Sequence, residues 1–400
     1  MRILVSGATG LLGNNIVRQL AAGGHTPVAL VRKAPDSEVF AGIFAGSSDG
    51  GFPGETDGID SVKRTTEQDS GQSLSGDCPI EIVESDFAPI ADEQANEQPT
   101  EQAGSEQAGS EVSDFRGGNG DVLDQAVRSC DAVIHCAAMI HLGWRNIESS
   151  MRVNRDGTDR LAQACLRHKK KLTAVGTVNS IALGSRDTIA DENTPVGHAG
   201  GQVPCAYVQS KRAANEVVRR AIPSGLNAVI VHPGFMLGPW DWKPSSGRML
   251  IEVGKGWKPI APRGGCSVCD SRDVAAGVIA ATLKDCEPGR EFILAGHNWT
   301  YKQLWSEMAI RMGKRPPTHT LGPGVEYLAG LVGDLWTRVS GNETDVNSAQ
   351  VTMSGQFHWY SSERAIRELG YQIRDTDETL DDAARWIQER FVLPQHADNR

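Results

Sequence analysis

The chain has 400 residues, a formal net charge of -10 and a pI of about 5.5. That length exceeds what one hydrophobic core usually organises, so two unequal domains are expected, and the acidity argues against nucleic acid as a partner and for a small-molecule substrate. Cys130, Cys136, Cys165 and Cys205 lie in or beside apolar runs with no secretory leader ahead of them, which reads as reduced buried sulfur and a cytoplasmic setting.

"RILVS" (Arg2 to Ser6) opens the chain as a buried strand, followed by a helical "LLGNNIVRQLAAGG" and a second strand, "VALVR". Further strand-like runs are "IEIVES" near Ile80, "DAVIHCAA" near Asp131, "LTAVGT" near Leu172 and "NAVIVHP" near Asn227. Continuous Val, Ile, Leu and Ala without alternation suits strands covered on both faces. The alternating order then predicts an α/β, Rossmann-like, doubly wound parallel sheet.

Two stretches break the rhythm, near 45–78 and 88–120, and read as mobile low-complexity insertions. From Asp92 to Asp114 the second holds seven acids and no Lys or Arg, so it buries little and repels itself. Surface insertion is the simpler reading than an acidic docking tail, because lengthening a loop costs only about 0.6 kcal/mol per doubling.

The large α/β domain is assigned to 1–235 and a smaller cap, expected to bind the substrate, mainly to 236–400, with 266–296 returning to the first. "CSVC" (Cys266 to Cys269) has half the spacing of a zinc site, but nothing completes it, so it reads as a strand carrying two thiols and no metal is implied. "VEYLAGLVGDLW" is interrupted by Glu326 and Asp334, falls short of the ~20 residues that span a bilayer, and reads as a packed helix with no membrane partner.

"GATGLLG" sets Gly7, Gly10 and Gly13 between the first strand and the first helix. Glycine there gives a tight turn and lets a phosphate approach the backbone at the positive end of a helix. At the end of the second strand, where an acid would hold a ribose 2′-hydroxyl, the chain has Arg32 and Lys33, which suit a 2′-phosphate and favour NADP over NAD. Asp36 lies close enough to complicate that choice. Asp86, in "ESDF", is a candidate adenine partner or an ordinary loop carboxylate.

"YVQSK" places Tyr207 and Lys211 four residues apart, hence on one helical face. With "HCAA" (135–138), "VNRDGT" (153–158), "HPGFMLGP" (232–239) and "SRDVA" (271–275), it makes the chain resemble the extended short-chain dehydrogenase/reductase family, in its dihydroflavonol-reductase-like and 3β-hydroxysteroid-dehydrogenase-like branch. The resemblance covers nearly all of the chain apart from the insertions.

It implies that Tyr207 exchanges a proton with the substrate oxygen while Lys211 binds the nicotinamide ribose and lowers the phenol pKa. It implies cofactor contacts at Gly7, Thr9, Gly10, Leu11, Leu12, Gly13, Ala137, Ala138, Pro233 and Gly234, and pairing into a homodimer through the Tyr/Lys helix. A third hydroxyl is expected at the end of the fifth strand, where the family has two serines and this chain has Gly176 and Thr177. Thr177 is the favoured residue and Ser180 its substitute. Asn154 is expected to support the site's backbone network.

Met139, His141 and Trp144, and Phe235, Met236, Trp240 and Trp242, follow strand ends and are candidates for an apolar substrate wall or for cap packing. His141 and His358 read as structural. The resulting function is an NAD(P)-dependent oxidoreductase acting on a ketone or secondary alcohol. Its rivals are a nucleotide-sugar epimerase or dehydratase, which would use cap cations such as Lys243, Arg248 and Arg263, and a non-catalytic NADP sensor.

Overall fold

A computed structural model describes residues 1–43, 63–65, 80–85, 119–340, 343 and 347–392. Asp86 and most of both expected insertions lie outside the described residues. The first elements are β1 (Arg2–Ser6), α1 (Leu11–Ala22), β2 (Thr26–Val31), β3 (Lys63–Thr65), β4 (Glu81–Glu84), α2 (Asn119–Ser129) and β5 (Ala132–His135). Then come α3 (Ile147–Met151), a π-helical turn over Arg152–Asp156, α4 (Gly157–His168), β6 (Lys171–Val175), α5 (Ala206–Ala221), β7 (Ala228–Pro233) and β8 (Phe235–Leu237). The remainder holds α6 (Arg248–Gly254), β9 (Ile260–Ala261), β10 (Gly265–Asp270), α7 (Ser271–Leu283), β11 (Glu291–Leu294), β12 (His297–Thr300) and α8 (Tyr301–Arg311). Last are β13 (His319–Thr320), α9 (Pro323–Ser340), α10 (Ser348–Ser354), β14 (Phe357–His358), α11 (Glu363–Leu369) and α12 (Thr376–Ile387).

Eight strands form one parallel sheet in the order β11-β7-β6-β5-β1-β2-β4-β3. Successive residues of β1 face opposite ways, as the pleat requires. Ile3 and Val5 join Ile16, Val17, Val274 and Val278 of α1 and α7, whereas Leu4 joins Val127, Leu161 and Val218 of α2, α4 and α5. Both faces are therefore covered, and the fold is the expected Rossmann-like α/β arrangement. The connection order reverses between β1 and β5, so a crevice opens where Ser6 and His135 sit side by side.

β3 lies inside the stretch read as insertion. An edge strand is held through backbone bonds on one side only and needs no apolar pattern, so "KRT" gave no signal.

A smaller sheet has β10 between antiparallel β12 and parallel β14, with β8 also paired to β10. Cys266 enters the core around Leu237, Leu304 and Trp386, while Cys269 enters the core beneath the large sheet. The two thiols serve separate cores, and among the described residues no group of His, Cys, Asp and Glu is arranged to hold a metal.

"VEYLAGLVGDLW" forms most of α9, and the expectation of a packed helix needs correction. Its buried residues are Glu326, Gly330, Gly333 and Thr337, and its large apolar side chains point outward. Small residues let the helix seat closely: a Cβ on Gly330 would stand 3.0 Å from Ser348 Cα of α10. Among the described residues no helix is long and apolar enough to cross a membrane.

Candidate active site

The β1–α1 loop shows three glycines with three different reasons. Gly7 has φ +71°, and a Cβ there would stand 2.7 Å from Ala137 N, across the crevice. A Cβ on Gly13 would fall 2.1 Å from Gly7 O, so this glycine lets α1 settle on the turn. At Gly10 the nearest atom to a Cβ is 3.4 Å away, an ordinary contact, and the residue is exposed. Gly10 caps α1 with no side-chain hydrogen bond, which leaves the helix's first N–H groups facing outward. That cradle, bare where a side chain would stand, fits a dinucleotide pyrophosphate. Leu11 and Leu12 are buried and offer only backbone, while Thr9 is half-buried. Arg32 and Lys33 are both exposed just beyond β2.

α5 carries Tyr207 and Lys211. Lys211 is 5 % exposed, and its Nζ donates to Val175 O at the end of β6 at 2.6 Å. Burial lowers its pKa to about 8, partly offset by Cys136. Tyr207 is half-buried; burial raises its phenol to about 12 against the opposing hydrogen bond from the Thr177 side chain. The expected lowering of the phenol by Lys211 does not appear: that ammonium donates to Val175 O, and burial disfavours the phenolate more than the Thr177 side chain favours it.

Thr177 and Ser180 are separated by their partners. Thr177 Oγ1 accepts from Asn179 N at 3.3 Å at the head of the turn, and its side chain also favours the Tyr207 phenolate, whereas the Ser180 hydroxyl donates to Thr177 O at 2.7 Å and accepts from Asn215 Nδ2 at 2.9 Å. The Ser180 hydroxyl is thus engaged within the turn and by α5. Gly176 has its own cause: a Cβ there would lie 2.7 Å from His232 Nδ1. His232 is fully buried, with Nε2 2.8 Å from Glu291 Oε2, and Arg219 Nε donates to the other oxygen of Glu291 at 2.7 Å. Burial pushes the Glu291 carboxyl up, but His232 and Arg219 outweigh it and hold it at about 2. A serine at 176 has no room beside that ring.

Asn154, inside the π-helical turn, accepts from Met139 N at 2.7 Å and donates to Met139 O and to Ser210 Oγ, both at 2.9 Å. It ties the loop after β5 to the residue preceding Lys211. Beneath it, Ser6 Oγ meets His135 Nδ1 at 2.6 Å, and His135 Nε2 meets Thr158 Oγ1 at 3.0 Å. Burial, with Lys211 adding to it, lowers the His135 pKa to about 3, so the ring is neutral.

Met139 and His141 flank the crevice, and Tyr207 N donates to His141 O at 3.1 Å. The loop is clamped from the cap by Glu343, which bonds His141 Nε2 at 2.7 Å, Trp144 N at 2.8 Å and Arg145 N at 3.2 Å. Burial raises this carboxyl, but those three donors hold it below its usual range. Sequence reasoning missed Glu343, since no pattern links it to a loop some 200 positions earlier.

Ala137 N donates to Ser6 Oγ at 3.4 Å, and Ala138 beside it is exposed. Pro233 is buried, and Gly234 is glycine because a Cβ would meet Ser267 O at 2.7 Å. Phe235 and Met236 are half-buried between the two cores. Trp240 is buried, with the Arg18 guanidinium of α1 4.8 Å from its ring. Trp242 stacks edge-on with Trp386 in the cap. His358 is buried with Nε2 3.2 Å from Met353 O, and burial lowers it to about 4.

A cavity of about 400 Å³ lies elsewhere, lined by Asp191, Glu192, Arg219, His232, Arg290 and Arg364 among others. Its lining includes neither Tyr207 nor Lys211, and within it Arg219 pairs with Glu291 and Arg364 with Glu192.

An NAD-binding family model described as Male sterility protein matches residues 119–257. A dihydroflavonol 4-reductase-like protein of Synechocystis sp. is 28 % identical over 66 % of this chain and 78 % of its own. Sterol demethylase protein B of Methylococcus capsulatus is 22 % identical over 98 % of this chain and 100 % of its own. Among solved structures, gox2253 superposes with a TM-score of 0.70 at 25 % identity over 98 % of both chains. DesIV, a dTDP-glucose 4,6-dehydratase of Streptomyces venezuelae solved with NAD bound, superposes at 0.64 and 16 % identity over 98 % of both chains.

Proposed function

We propose that this chain, which belongs to the extended short-chain dehydrogenase/reductase family and is a nicotinamide-dependent enzyme, reduces a ketone or oxidises the matching secondary alcohol of a mid-sized, partly apolar substrate. The observation that carries this reading is the half-buried Tyr207 one helical turn from Lys211, whose buried ammonium donates to Val175 O at 2.6 Å.

Thr177 holds the substrate oxygen, and Tyr207 gives it a proton as negative charge develops there. A phenol raised to about 12 stays protonated at neutral pH, which suits the reducing direction. The Lys211 ammonium, aimed by Val175 O, binds the nicotinamide ribose, and Gly10 with the N-terminus of α1 receives the pyrophosphate. The nicotinamide supplies the hydride when bound. Arg32 and Lys33 support a preference for NADP through its 2′-phosphate. Asn154 and Glu343 position the loop from Met139 to Arg145 that borders the substrate.

The name of the sterol-linked relative and the exposed Ile140 and Trp144 on this loop support an apolar substrate. A sugar-nucleotide dehydratase or epimerase would use the same tyrosine, and DesIV shares the fold. Against that reading, Arg263 is engaged by Glu326 at 3.0 Å and does not reach for a diphosphate.

The test is a panel of carbonyl compounds and sugar nucleotides followed by NADPH and NADH absorbance. Tyr207→Phe is expected to lower kcat about 10²- to 10⁴-fold with cofactor affinity kept. Turnover equal to wild type in that variant rejects the mechanism, and sugar-nucleotide turnover without net cofactor consumption replaces the reductase by the epimerase or dehydratase.

A further inference from the structure

α9 is built inside out. Its buried face carries Glu326, Gly330, Gly333 and Thr337, while Tyr327, Leu328, Val332, Leu335, Trp336 and Val339 are each 61–77 % exposed. Soluble monomers carry largest apolar patches of about 300–600 Å², and six large side chains exposed to this degree on one helix reach or exceed that range. A face of this kind needs something to cover it.

Three observations indicate the occupant. First, the chain carries a net charge of -10, yet α9 turns both of its acids inward: Glu326 binds Arg263, and Asp334 accepts from Ser348 N. The exposed charge left on the helix is Arg338. Second, Tyr327 and Trp336 have apolar bodies with a polar tip, the residue type that settles at a lipid–water interface. Third, a convex helix meeting its own copy touches along a narrow strip, short of the ~800 Å² per partner that stable pairs bury. A lipid surface instead wraps the half-cylinder.

We infer that α9 lies in the interface of an anionic membrane, parallel to its plane, and that the enzyme takes a lipid-dissolved ketone or alcohol from there. This sets aside the expectation of no membrane partner drawn from the sequence. The inference rests on the proposed oxidoreductase reading for its substrate. The route is short: Glu343, shortly after α9, clamps the loop whose backbone carbonyl at His141 accepts from Tyr207 N. That loop exposes Ile140 and Trp144 beside the end of α9.

The full chain is spun with vesicles of phosphatidylcholine alone and of phosphatidylcholine with phosphatidylglycerol. Wild type is expected to pellet with the anionic vesicles, and a Leu328→Glu/Leu335→Glu variant to bind them at least about 10-fold more weakly, since apolar burial drives such docking. Tyr207→Phe is expected to pellet like wild type, and the double variant to keep wild-type NADPH binding and wild-type turnover of a water-soluble ketone. Failure of docking and failure of the oxidoreductase reading are thereby read separately. A single Leu335→Gln variant melting within about 2 °C of wild type shows that the face is not core. Wild type remaining in the supernatant with both vesicles overturns the proposal. So does a dimer in sedimentation velocity that the double variant dissociates while vesicle binding is unchanged.

Discussion

α5 and α9 break the ordinary pattern of a surface helix in opposite directions. α5 buries Ser210, Lys211 and Asn215, whereas α9 exposes Leu328, Leu335 and Trp336. Each buried polar group on α5 has a partner: Asn154 for Ser210, Val175 O for Lys211 and Ser180 for Asn215. The apolar groups on α9 have none within the described chain's core. Departures from local consistency concentrate where a protein works, which is why chemistry is proposed for the first helix and contact for the second.

The largest effect that sharpens this contrast comes from Lys211→Met, which replaces a buried charge by an apolar chain of similar length. Burial lowers the folded pKa to about 8 from 10.5, so above pH 8 the unfolded state binds more protons and stability rises with pH. Above pH 10 the raised phenol of Tyr207 acts oppositely, since the unfolded tyrosine ionises first. Between pH 8 and 10 wild type should gain roughly 2–3 kcal/mol from this group. The variant should lack that gain in urea titrations and should lose turnover. Parallel slopes for the two proteins would mean that the amine is not desolvated.

Next comes the pair of hydroxyls. Thr177→Val should cost about 10²-fold in kcat, as losing one donor to a reacting oxygen does, while Ser180→Ala should change it less than about 3-fold. The reverse ranking would return Ser180 to the catalytic role. Gly176→Ala should destabilise by about 1–3 kcal/mol in urea unfolding, because the added carbon meets His232. The smallest effect belongs to α9: Leu335→Gln should shift stability by no more than about 0.5 kcal/mol, the range of a surface change. A cost of several kcal/mol would place Leu335 in a packed core.

Much of the candidate site was readable because it depends on local spacing. Gly7, Gly10 and Gly13 lie within one turn and its helix, and Tyr207 and Lys211 lie four apart on one face. Glu343 was not readable, because what it holds is a set of backbone N–H groups and one imidazole distant in sequence, and backbone donors leave no trace in side-chain pattern. Trp240 was read as a pocket candidate from its place after a strand; its partner turned out to be Arg18 on α1.

The sequence alone determined the alternation of strand and helix, the phosphate loop and the Tyr–Lys pair, since each follows from residues close enough to share a face or a turn. Tertiary structure alone decided that the Ser180 hydroxyl is engaged by α5, that Gly176 yields to His232, and that α9 turns its small residues inward. The physical reason is common to all three: which face of an element is buried depends on the shape and polarity of whatever packs against it, and that neighbour comes from elsewhere in the chain.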